Sequence, residues 1–371
     1  MKVLIMSITA GEGHNSTARA VKELLDSRAV ECQILDTYGY VSNALKKVVS
    51  EGYLFASEKA KTAYSRSYRL AEKRSSDANE LSAMRLANLT LTHKIHGYIE
   101  EYDPDVIVFT HPFAGIVVDL LKQKNRVNMK TIGIVTDFTI HPYWEECLHT
   151  DYVVVASELL EYQAMMKGFR RDQIVTTGIP IHPKFATAKP KLEIRRNLNL
   201  KPNVPTILLM GGSMGYGNMT STVDKLDRLP EDFQMIAVCG NNAKVKTALS
   251  ELPLRHKTVI TGFVSYIDEL MDAADCIISK PGGLTTSESL AKQLPMIIIN
   301  PIPGQEERNT EFLLNCGTAM SVSSSSIEEI TKILLNNPQR MESMRANTEL
   351  IRKPNSTRDI GELILNERRT K

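Results

Sequence analysis

Four glycine-rich loops contain the residues of this 371-residue chain that could do chemistry. The first loop, residues 9–16, follows a short apolar run and contains Gly11, Gly13 and His14. Glycines at such a place allow a tight turn and let a ligand approach the start of a helix closely. A histidine at this junction can act as a general base, although a lone histidine more often caps a helix or packs in a core.

The first loop also matches part of a dinucleotide-binding fingerprint. The spacing of Gly11 and Gly13 fits that motif, and Asp36 ends the second predicted strand as a ribose-binding carboxylate would. Against this interpretation, Ser16 stands where the third glycine should be, and Glu12 would place a negative charge beside a pyrophosphate. We therefore do not favour a nicotinamide cofactor.

The second and third loops are suited to phosphate. Residues 211–217 have four glycines and Ser213 after a predicted strand, without the Lys-Ser/Thr ending of a P-loop. In the third loop, Pro281 and the two glycines after it predict a sharp turn, and Thr285 is predicted to open a helix whose dipole favours a diphosphate. Glu288 has two interpretations: it forms a capping box with Thr285, or its carboxylate binds the two hydroxyls of a ribose.

Further polar residues lie near the ends of other predicted strands. In the fourth loop, Gln305 and Glu306 are placed to bind sugar hydroxyls, although acidic residues are common in a first helical turn. Asp137 follows a strand of the first half, and His182 precedes a proline-rich joint. A carboxylate and a histidine that share a cleft are suited to deprotonating a hydroxyl acceptor.

Composition places these loops in an ordinary globular protein. Hydrophobic residues make up 42% and charged residues 24% of the chain, and the net charge of +2 gives no reason to expect nucleic acid as a partner. Five scattered cysteines indicate reduced thiols of a cytoplasmic protein, without a disulfide framework or a zinc site. No stretch approaches the ~20 apolar residues of a membrane span, so we expect any membrane contact to be peripheral.

Short β-branched runs alternate with helical patterns, which predicts two doubly wound α/β domains with parallel sheets. Prolines and lysines mark a joint between them, and the last helical segment, residues 338–369, has no strand after it. The predicted boundaries are 1–184, a linker at 185–204, a second domain at 205–345 and a final helix within 346–371. The ten predicted strands are residues 3–7, 33–37, 106–110, 131–136, 152–156, 206–210, 234–239, 258–261, 276–279 and 296–300.

One long segment between the second and third strands is rich in basic and aromatic residues. Residues 44–74 contain eight basic and three acidic side chains, with aromatic residues between them. Such a segment can lie on an anionic bilayer, but it can also be a solvated helical hairpin that covers the sheet. The residues predicted to contact a membrane are Lys46, Lys47, Tyr53, Phe55, Lys59, Lys61, Arg66 and Arg69.

Taken together, the loops resemble those of glycosyltransferase family 28, in particular its diacylglycerol glycosyltransferase branch, over nearly the whole chain. That branch contains bacterial processive diacylglycerol glucosyltransferases and plant monogalactosyldiacylglycerol synthases. The motifs that carry the resemblance are Gly11-x-Gly13-His14, Thr136-Asp137-Phe138, Thr177-Gly178-Ile179-Pro180, Gly211-Gly212-Ser213-x-Gly215, Gly262-Phe263-Val264, Ser279-Lys280-Pro281-Gly282-Gly283-x-Thr285 and Pro303-Gly304-Gln305-Glu306.

The resemblance implies a GT-B fold, in which two Rossmann-like domains flank an interdomain cleft and a final helix crosses back. It assigns His14 as the catalytic base, with Asp137 as its partner or rival. It also implies inversion at the anomeric carbon without a metal or other cofactor. His182 departs from the branch, which usually has arginine there. The implied donor-binding residues are Gly13, His182, Gly212, Ser213, Gly262, Phe263, Val264, Lys280, Pro281, Gly282, Gly283, Thr285, Glu288, Gln305 and Glu306.

The resulting hypothesis is transfer of a hexose from a UDP-sugar to diacylglycerol at the cytoplasmic face of a membrane. Within this assignment, Gly262 to Val264 would hold the uracil, Glu288 the ribose, and Gln305 with Glu306 the hexose, either glucose or galactose. Three alternatives stay open: a peptidoglycan-type N-acetylglucosaminyltransferase with a polyprenyl-linked acceptor, a non-catalytic UDP-sugar-binding regulator, and a non-hydrolysing sugar epimerase.

Overall fold

The computed structural model describes residues 1–9, 12–42, 47, 66, 91–211, 218–322 and 326–367. The chain forms two compact units, each with one parallel six-stranded sheet covered by helices. The predicted α/β class and all ten predicted strands are confirmed. The first unit comprises Met1–Pro183, Ile302–Gln305 and Asn355–Lys371, and the second comprises Lys184–Pro301 and Glu306–Pro354.

The sheet of the first unit has the strand order β2-β1-β3-β4-β5-β6. Its central strands are continuous apolar runs buried on both faces, as expected of a parallel sheet. The strands are β1 (Lys2–Ser7), β2 (Glu31–Asp36), β3 (Val106–Phe109), β4 (Lys130–Ile134), β5 (Tyr152–Val154) and β6 (Ile174–Val175). The helices are α1 (Glu12–Ser27), α2 (Thr37–Val41), α3 (Thr92–Tyr102), α4 (Pro112–Gln123) and α5 (Glu161–Met166), with 3-10 turns at Pro142–Glu146, Glu158–Leu160 and Arg171–Gln173.

The sheet of the second unit has the strand order β12-β11-β10-β7-β8-β9. Its strands are β7 (Thr206–Met210), β8 (Gln234–Val238), β9 (Thr258–Thr261), β10 (Cys276–Ser279), β11 (Met296–Ile298) and β12 (Ala319–Ser321). Its helical segments are the 3-10 turn Pro183–Ala186, α6 (Lys191–Asn197), α7 (Met219–Asp227), α8 (Ala243–Ser250), α9 (Ile267–Ala273), α10 (Gly283–Ala291), α11 (Gln305–Asn315), α12 (Ile327–Leu335) and α13 (Pro338–Thr348).

Residues 185–204, which the sequence predicts to be a linker, contain α6 and belong to the second unit. Arg195 of α6 is buried, and its guanidinium donates to the carbonyl of Ala273 at 2.9 Å and to the carboxylate of Asp275 at 2.6 Å. Lys191 also pairs with Asp275 at 2.8 Å. These ion pairs lower the pKa of the Asp275 carboxyl although burial opposes them.

The last helix, α14 (Ser356–Asn366), completes the core of the first unit. Ile360 and Ile364 are buried in the same apolar cluster as residues of α1 and β1. A Cβ atom on Gly361 would lie 2.4 Å from Cδ2 of Leu24, so glycine allows α14 to approach α1 closely. The structure thus divides the predicted helical segment 338–369 into α13 and α14, separated by residues that include Pro354, which cannot continue a helix.

Candidate functional site

His14 lies in the first turn of α1, directly after the first glycine loop, and its ring is partly buried. Its Nδ1 atom is 2.6 Å from the carbonyl oxygen of Thr110 and 3.0 Å from the hydroxyl of Thr136. A carbonyl oxygen can only accept a hydrogen bond, so Nδ1 carries the ring proton. The other nitrogen, Nε2, therefore has a lone pair, and no described residue donates a hydrogen bond to it.

The electrostatics of His14 favour its neutral form. Burial lowers the pKa of the His14 imidazole to about 4, and the hydrogen bond to the Thr110 carbonyl opposes this shift without reversing it. The ring is consequently uncharged near neutral pH and can accept a proton at Nε2. The geometry can thus supply a general base, although the assigned catalytic role remains a prediction.

A second histidine, His111, lies beside His14 and has the opposite tautomer. The ring centroids are 4.6 Å apart, with an interplanar angle of 60°. Nδ1 of His111 accepts a hydrogen bond of 3.1 Å from the backbone N–H of Phe113 and caps α4, so the ring proton is on Nε2. Burial, with smaller contributions from His14 and His141, lowers its pKa well below the usual histidine value. His111 was not among the residues predicted from the sequence; its position between β3 and Pro112 was the available signal.

Asp137 follows β4 and is partly buried. Its neighbour Thr136 contacts His14, which places this loop at the candidate base. Gln163 of α5 holds the same loop, because its Oε1 atom accepts from the N–H of Ile140 at 2.9 Å and its amide donates to Thr139 at 3.3 Å. The role of Asp137 as partner or rival of His14 stays a prediction.

The remaining candidates of the first unit have different surroundings. A Cβ atom on Gly13 would meet no described atom within 4 Å, which leaves room for a ligand beside the first turn of α1. His182 is partly exposed, and its Nε2 atom lies 3.3 Å from a carboxylate oxygen of Glu23. Asp36 caps α2 by accepting from the N–H of Gly39 at 3.1 Å, so it has a structural function of its own.

In the second unit, Pro281 and Gly282, which follow β10, lie beside Glu306 and Asn309 of α11. A Cβ atom on Gly282 would be 3.7 Å from the Oε1 atom of Glu306, a buried residue in the first turn of α11. The amide of Asn309, which is fully buried, donates to the carbonyl of Pro281 at 2.9 Å. Asn309 thus fixes the turn of the third loop, a function that its place within the fourth loop did not reveal in the sequence.

Helix α10 begins two residues earlier than the sequence predicts. Gly282 is its N-cap residue, without a side-chain hydrogen bond, and Gly283 is the first helical residue. Thr285 therefore lies inside the first turn, and the predicted capping box between Thr285 and Glu288 is wrong. A glycine cap leaves the first backbone N–H groups without a side-chain acceptor, which suits binding of an anion.

Glu288 is partly buried and makes no side-chain hydrogen bond to any described residue. Burial raises the pKa of its carboxyl to about 8; Lys184 acts in the opposite direction, and Asp268 adds to the increase. Such a carboxyl group is available to accept hydrogen bonds from a ligand.

Two other donor candidates also lack partners within the described residues. Lys280, directly after β10, is partly buried and pairs with no acidic group there. Phe263, after β9, is 67% exposed, unlike most phenylalanines, and could lie against a flat ring. A Cβ atom on Gly262 would make only ordinary contacts, at 3.5 Å to the carbonyl oxygen of Gly240. Val264 is partly buried, and Gln305 begins α11.

Several predicted residues lie outside the described part of the chain. They are Gly212 and Ser213 of the second loop, and Lys46, Tyr53, Phe55, Lys59, Lys61 and Arg69 of the predicted membrane segment; Lys47 and Arg66 are described only as isolated residues. Among the helices that are described, none combines the length and apolar character needed to cross a bilayer. The described residues also contain no group of three or more His, Cys, Asp or Glu side chains that could hold a metal ion.

Both halves of the chain match models of known protein families. Residues 14–181 match monogalactosyldiacylglycerol (MGDG) synthase, and residues 206–362 match the C-terminal domain of glycosyltransferase family 28. The processive diacylglycerol beta-glucosyltransferase of Bacillus pumilus is 29% identical over 371 residues, which cover 99% of this chain and 95% of that protein. The chloroplastic monogalactosyldiacylglycerol synthase 1 of Arabidopsis thaliana is 29% identical over 90% of this chain and 64% of its own.

Solved structures resemble the fold at low sequence identity. Acinetobacter baumannii MurG superposes with a TM-score of 0.66 at 17% identity, covering 98% of this chain and 99% of MurG. The UDP-GlcNAc 2-epimerase of Neisseria meningitidis, bound to UDP-GlcNAc, gives 0.59 at 14% identity, over 99% of this chain and 100% of that one. These similarities establish the GT-B fold, as predicted. With both family models matched in succession, the chain belongs to glycosyltransferase family 28, in its diacylglycerol glycosyltransferase branch.

Proposed function

We propose that this glycosyltransferase transfers a hexose from a UDP-sugar to the free hydroxyl of diacylglycerol, with inversion at the anomeric carbon. The observation that carries the proposal is the state of His14. Its Nδ1 atom is bound to the Thr110 carbonyl and its pKa is about 4, so Nε2 is an uncharged proton acceptor. An alcohol is a weak nucleophile, and removing its proton during attack is the contribution such a group can make.

The names of the relatives support the proposed acceptor. Both curated relatives described above are named for action on diacylglycerol, one with glucose and one as a monogalactosyl synthase. Their common acceptor is the same lipid, while their sugars differ at one hydroxyl. We therefore propose diacylglycerol as the acceptor and keep UDP-glucose and UDP-galactose as the two donors to test.

On the donor side, the second unit offers groups that complement a nucleoside diphosphate. The N-terminus of α10 and Lys280 favour the negative charge of two phosphates, and Glu288 can accept from ribose hydroxyls. Glu306, beside Gly282, is the candidate for the sugar hydroxyls. A neighbour of the same fold, the Neisseria epimerase, was solved with UDP-GlcNAc, which agrees with a UDP-sugar as the donor.

The reaction then needs one displacement. The acceptor hydroxyl passes its proton to Nε2 of His14 while its oxygen forms a bond to the anomeric carbon. The bond from that carbon to the UDP oxygen breaks on the opposite face, and UDP leaves with the electron pair. Backbone N–H groups at the start of α10, with Lys280, stabilise the charge that develops on the leaving phosphate. This mechanism uses no metal ion or cofactor.

We further propose that the protein works as a peripheral protein at the cytoplasmic face of the membrane, since its acceptor is a lipid. The basic, aromatic segment at residues 44–74 is the candidate contact with anionic headgroups. Sedimentation with vesicles of increasing anionic lipid content tests this part: binding that does not increase with anionic lipid would contradict it.

The direct test of function is incubation with diacylglycerol vesicles and either UDP-glucose or UDP-galactose. We expect a monohexosyl glycolipid from one donor, with an anomeric configuration opposite to that of the donor when it is measured by NMR. Vesicles without diacylglycerol are the matched control. If neither donor yields a glycolipid, the proposed function is wrong, and a product of unchanged configuration would remove the single-displacement mechanism.

A further inference from the structure

The two neighbouring histidines of the first unit, His14 and His111, present complementary hydrogen-bonding atoms. Each ring has its Nδ1 atom engaged by nearby chain: that of His14 donates to a carbonyl, and that of His111 accepts from an N–H. The nitrogens that remain are an acceptor on His14 and a donor on His111. Within the described residues neither of these two nitrogens has a hydrogen-bonding partner.

The tautomers are set by the backbone. Turning the His111 ring over would place a carbon against the N–H of Phe113 and remove the cap of α4. Turning the His14 ring over would likewise leave the carbonyl of Thr110 without its donor. The pair is thus held with one lone pair and one N–H on adjacent rings, whose centroids are separated by 4.6 Å.

His111 is the member of the pair whose open nitrogen still needs explanation. The side chain is 9% exposed, and its Nε2–H group is left without an acceptor in the described part of the chain. An N–H group that has no acceptor within the protein can donate to a ligand or to water. Capping of α4 uses only Nδ1, so the cap does not account for the second ring nitrogen, Nε2.

We propose that the Nε2–H group of His111 donates a hydrogen bond to an ester carbonyl oxygen of the acceptor lipid. This inference rests on the proposed function, in which His14 accepts the proton of the acceptor hydroxyl. In a diacylglycerol with a terminal free hydroxyl, the neighbouring carbon carries an ester. Its carbonyl and the hydroxyl form an acceptor and a donor a few bonds apart, which complement the N–H of His111 and the lone pair of His14 on adjacent rings.

The test compares two acceptors that differ only in this carbonyl: 1,2-diacylglycerol and 1,2-dialkylglycerol, which has ether links. Both have the same hydroxyl and comparable chains. We expect wild-type kcat/KM to be about tenfold higher with the ester lipid, because the ether leaves the His111 donor unpaired. The rates are measured in mixed micelles at equal mole fraction of acceptor.

Two variants test whether His111 causes the preference for the ester lipid. In His111→Asn the shorter amide can still cap α4, since asparagine is a good N-cap, but nothing occupies the position of Nε2. We expect this variant to use both lipids equally, within about twofold. In His111→Gln an amide N–H can reach the Nε2 position, so we expect part of the ester preference to return. His149→Asn, at an exposed histidine, is the matched control and should keep the full preference.

UDP affinity by calorimetry and the unfolding temperature show whether each variant is folded. An equal rate of the wild-type protein on ester and ether lipids would overturn the inference even if no variant folds. An ester preference that persists in His111→Asn would overturn it as well. Failure of the proposed function is recognised separately, since the wild-type protein would then glycosylate neither lipid.

Discussion

The two units differ in how their candidate groups are satisfied. In the first unit, His14 already has hydrogen-bonding partners that fix its tautomer, and burial keeps the ring neutral. In the second unit, Glu288 and Lys280 lack side-chain partners among the described residues, and Phe263 is largely exposed. A proton-transfer group must be held in one orientation before substrate arrives, whereas groups that bind a polar ligand must keep their hydrogen bonds for that ligand. Substitutions in the two units should therefore have different kinetic signatures.

The largest effect is expected for His14→Ala. Removing the base should lower kcat by about 10²–10⁴-fold and leave UDP affinity unchanged, because the ring acts on the acceptor proton. His96→Ala, at a histidine on α3 that pairs with Glu100, is the control and should keep its activity. Full turnover in His14→Ala, measured by glycolipid formation, would exclude the base role.

The pH profile of kcat is a second test of His14 as the general base. With a pKa of about 4, the His14 ring stays unprotonated down to mildly acidic pH, so its contribution to kcat should be constant from about pH 7 to pH 5. Protonation removes the lone pair, so kcat should fall only as the pH decreases through about 4. A fall centred near the usual histidine value would show that the ring is not held in its buried environment during turnover.

Glu288→Gln tests the second unit. Its expected effect is smaller than that of His14→Ala and changes KM instead of kcat. We expect the KM for the UDP-sugar to rise about tenfold near pH 9, with kcat little changed, because a carboxylate accepts ribose hydrogen bonds more strongly than an amide. In the wild-type protein the carboxyl has a pKa of about 8, so donor binding should strengthen as the pH rises through that value and the group ionises. The variant should lose this pH dependence, and Glu311→Gln, at an exposed position of α11, should retain it. Equal pH dependence in all three proteins would exclude Glu288 from donor binding.

The smallest effect is expected for Thr136→Val, which keeps the shape of the side chain and removes its hydroxyl from Nδ1 of His14. The Thr110 carbonyl still holds the ring, so we expect kcat to fall about threefold without a change in the KM for the donor. Thr136→Ser restores the hydroxyl and should recover the rate. A change in donor KM instead of kcat would indicate that this threonine does not act through His14.

The sequence predicted those features whose cause is local. Short β-branched runs identified ten strands, whereas β6 and β12, which have two and three residues and lie at the sheet edges, were missed. The glycine loops were found because their turns need glycine, yet the start of α10 was misplaced by taking a threonine, not Gly282, as its cap. Partners distant in sequence, such as Thr110 for His14 and Asn309 for Pro281, depend on how strands and helices are placed in the fold.

The packing of α14 on α1 has a consequence for biosynthesis. Ile360 and Ile364 belong to the core of the first unit, and Gly361 touches the helix that carries His14. The ribosome must therefore deliver the whole second unit before the first can finish its core. During translation an apolar face of the first unit therefore stays uncovered until α14 has been synthesised. A premature stop shortly before Ser356 would remove α14 and so destabilise the part of the protein that was made first.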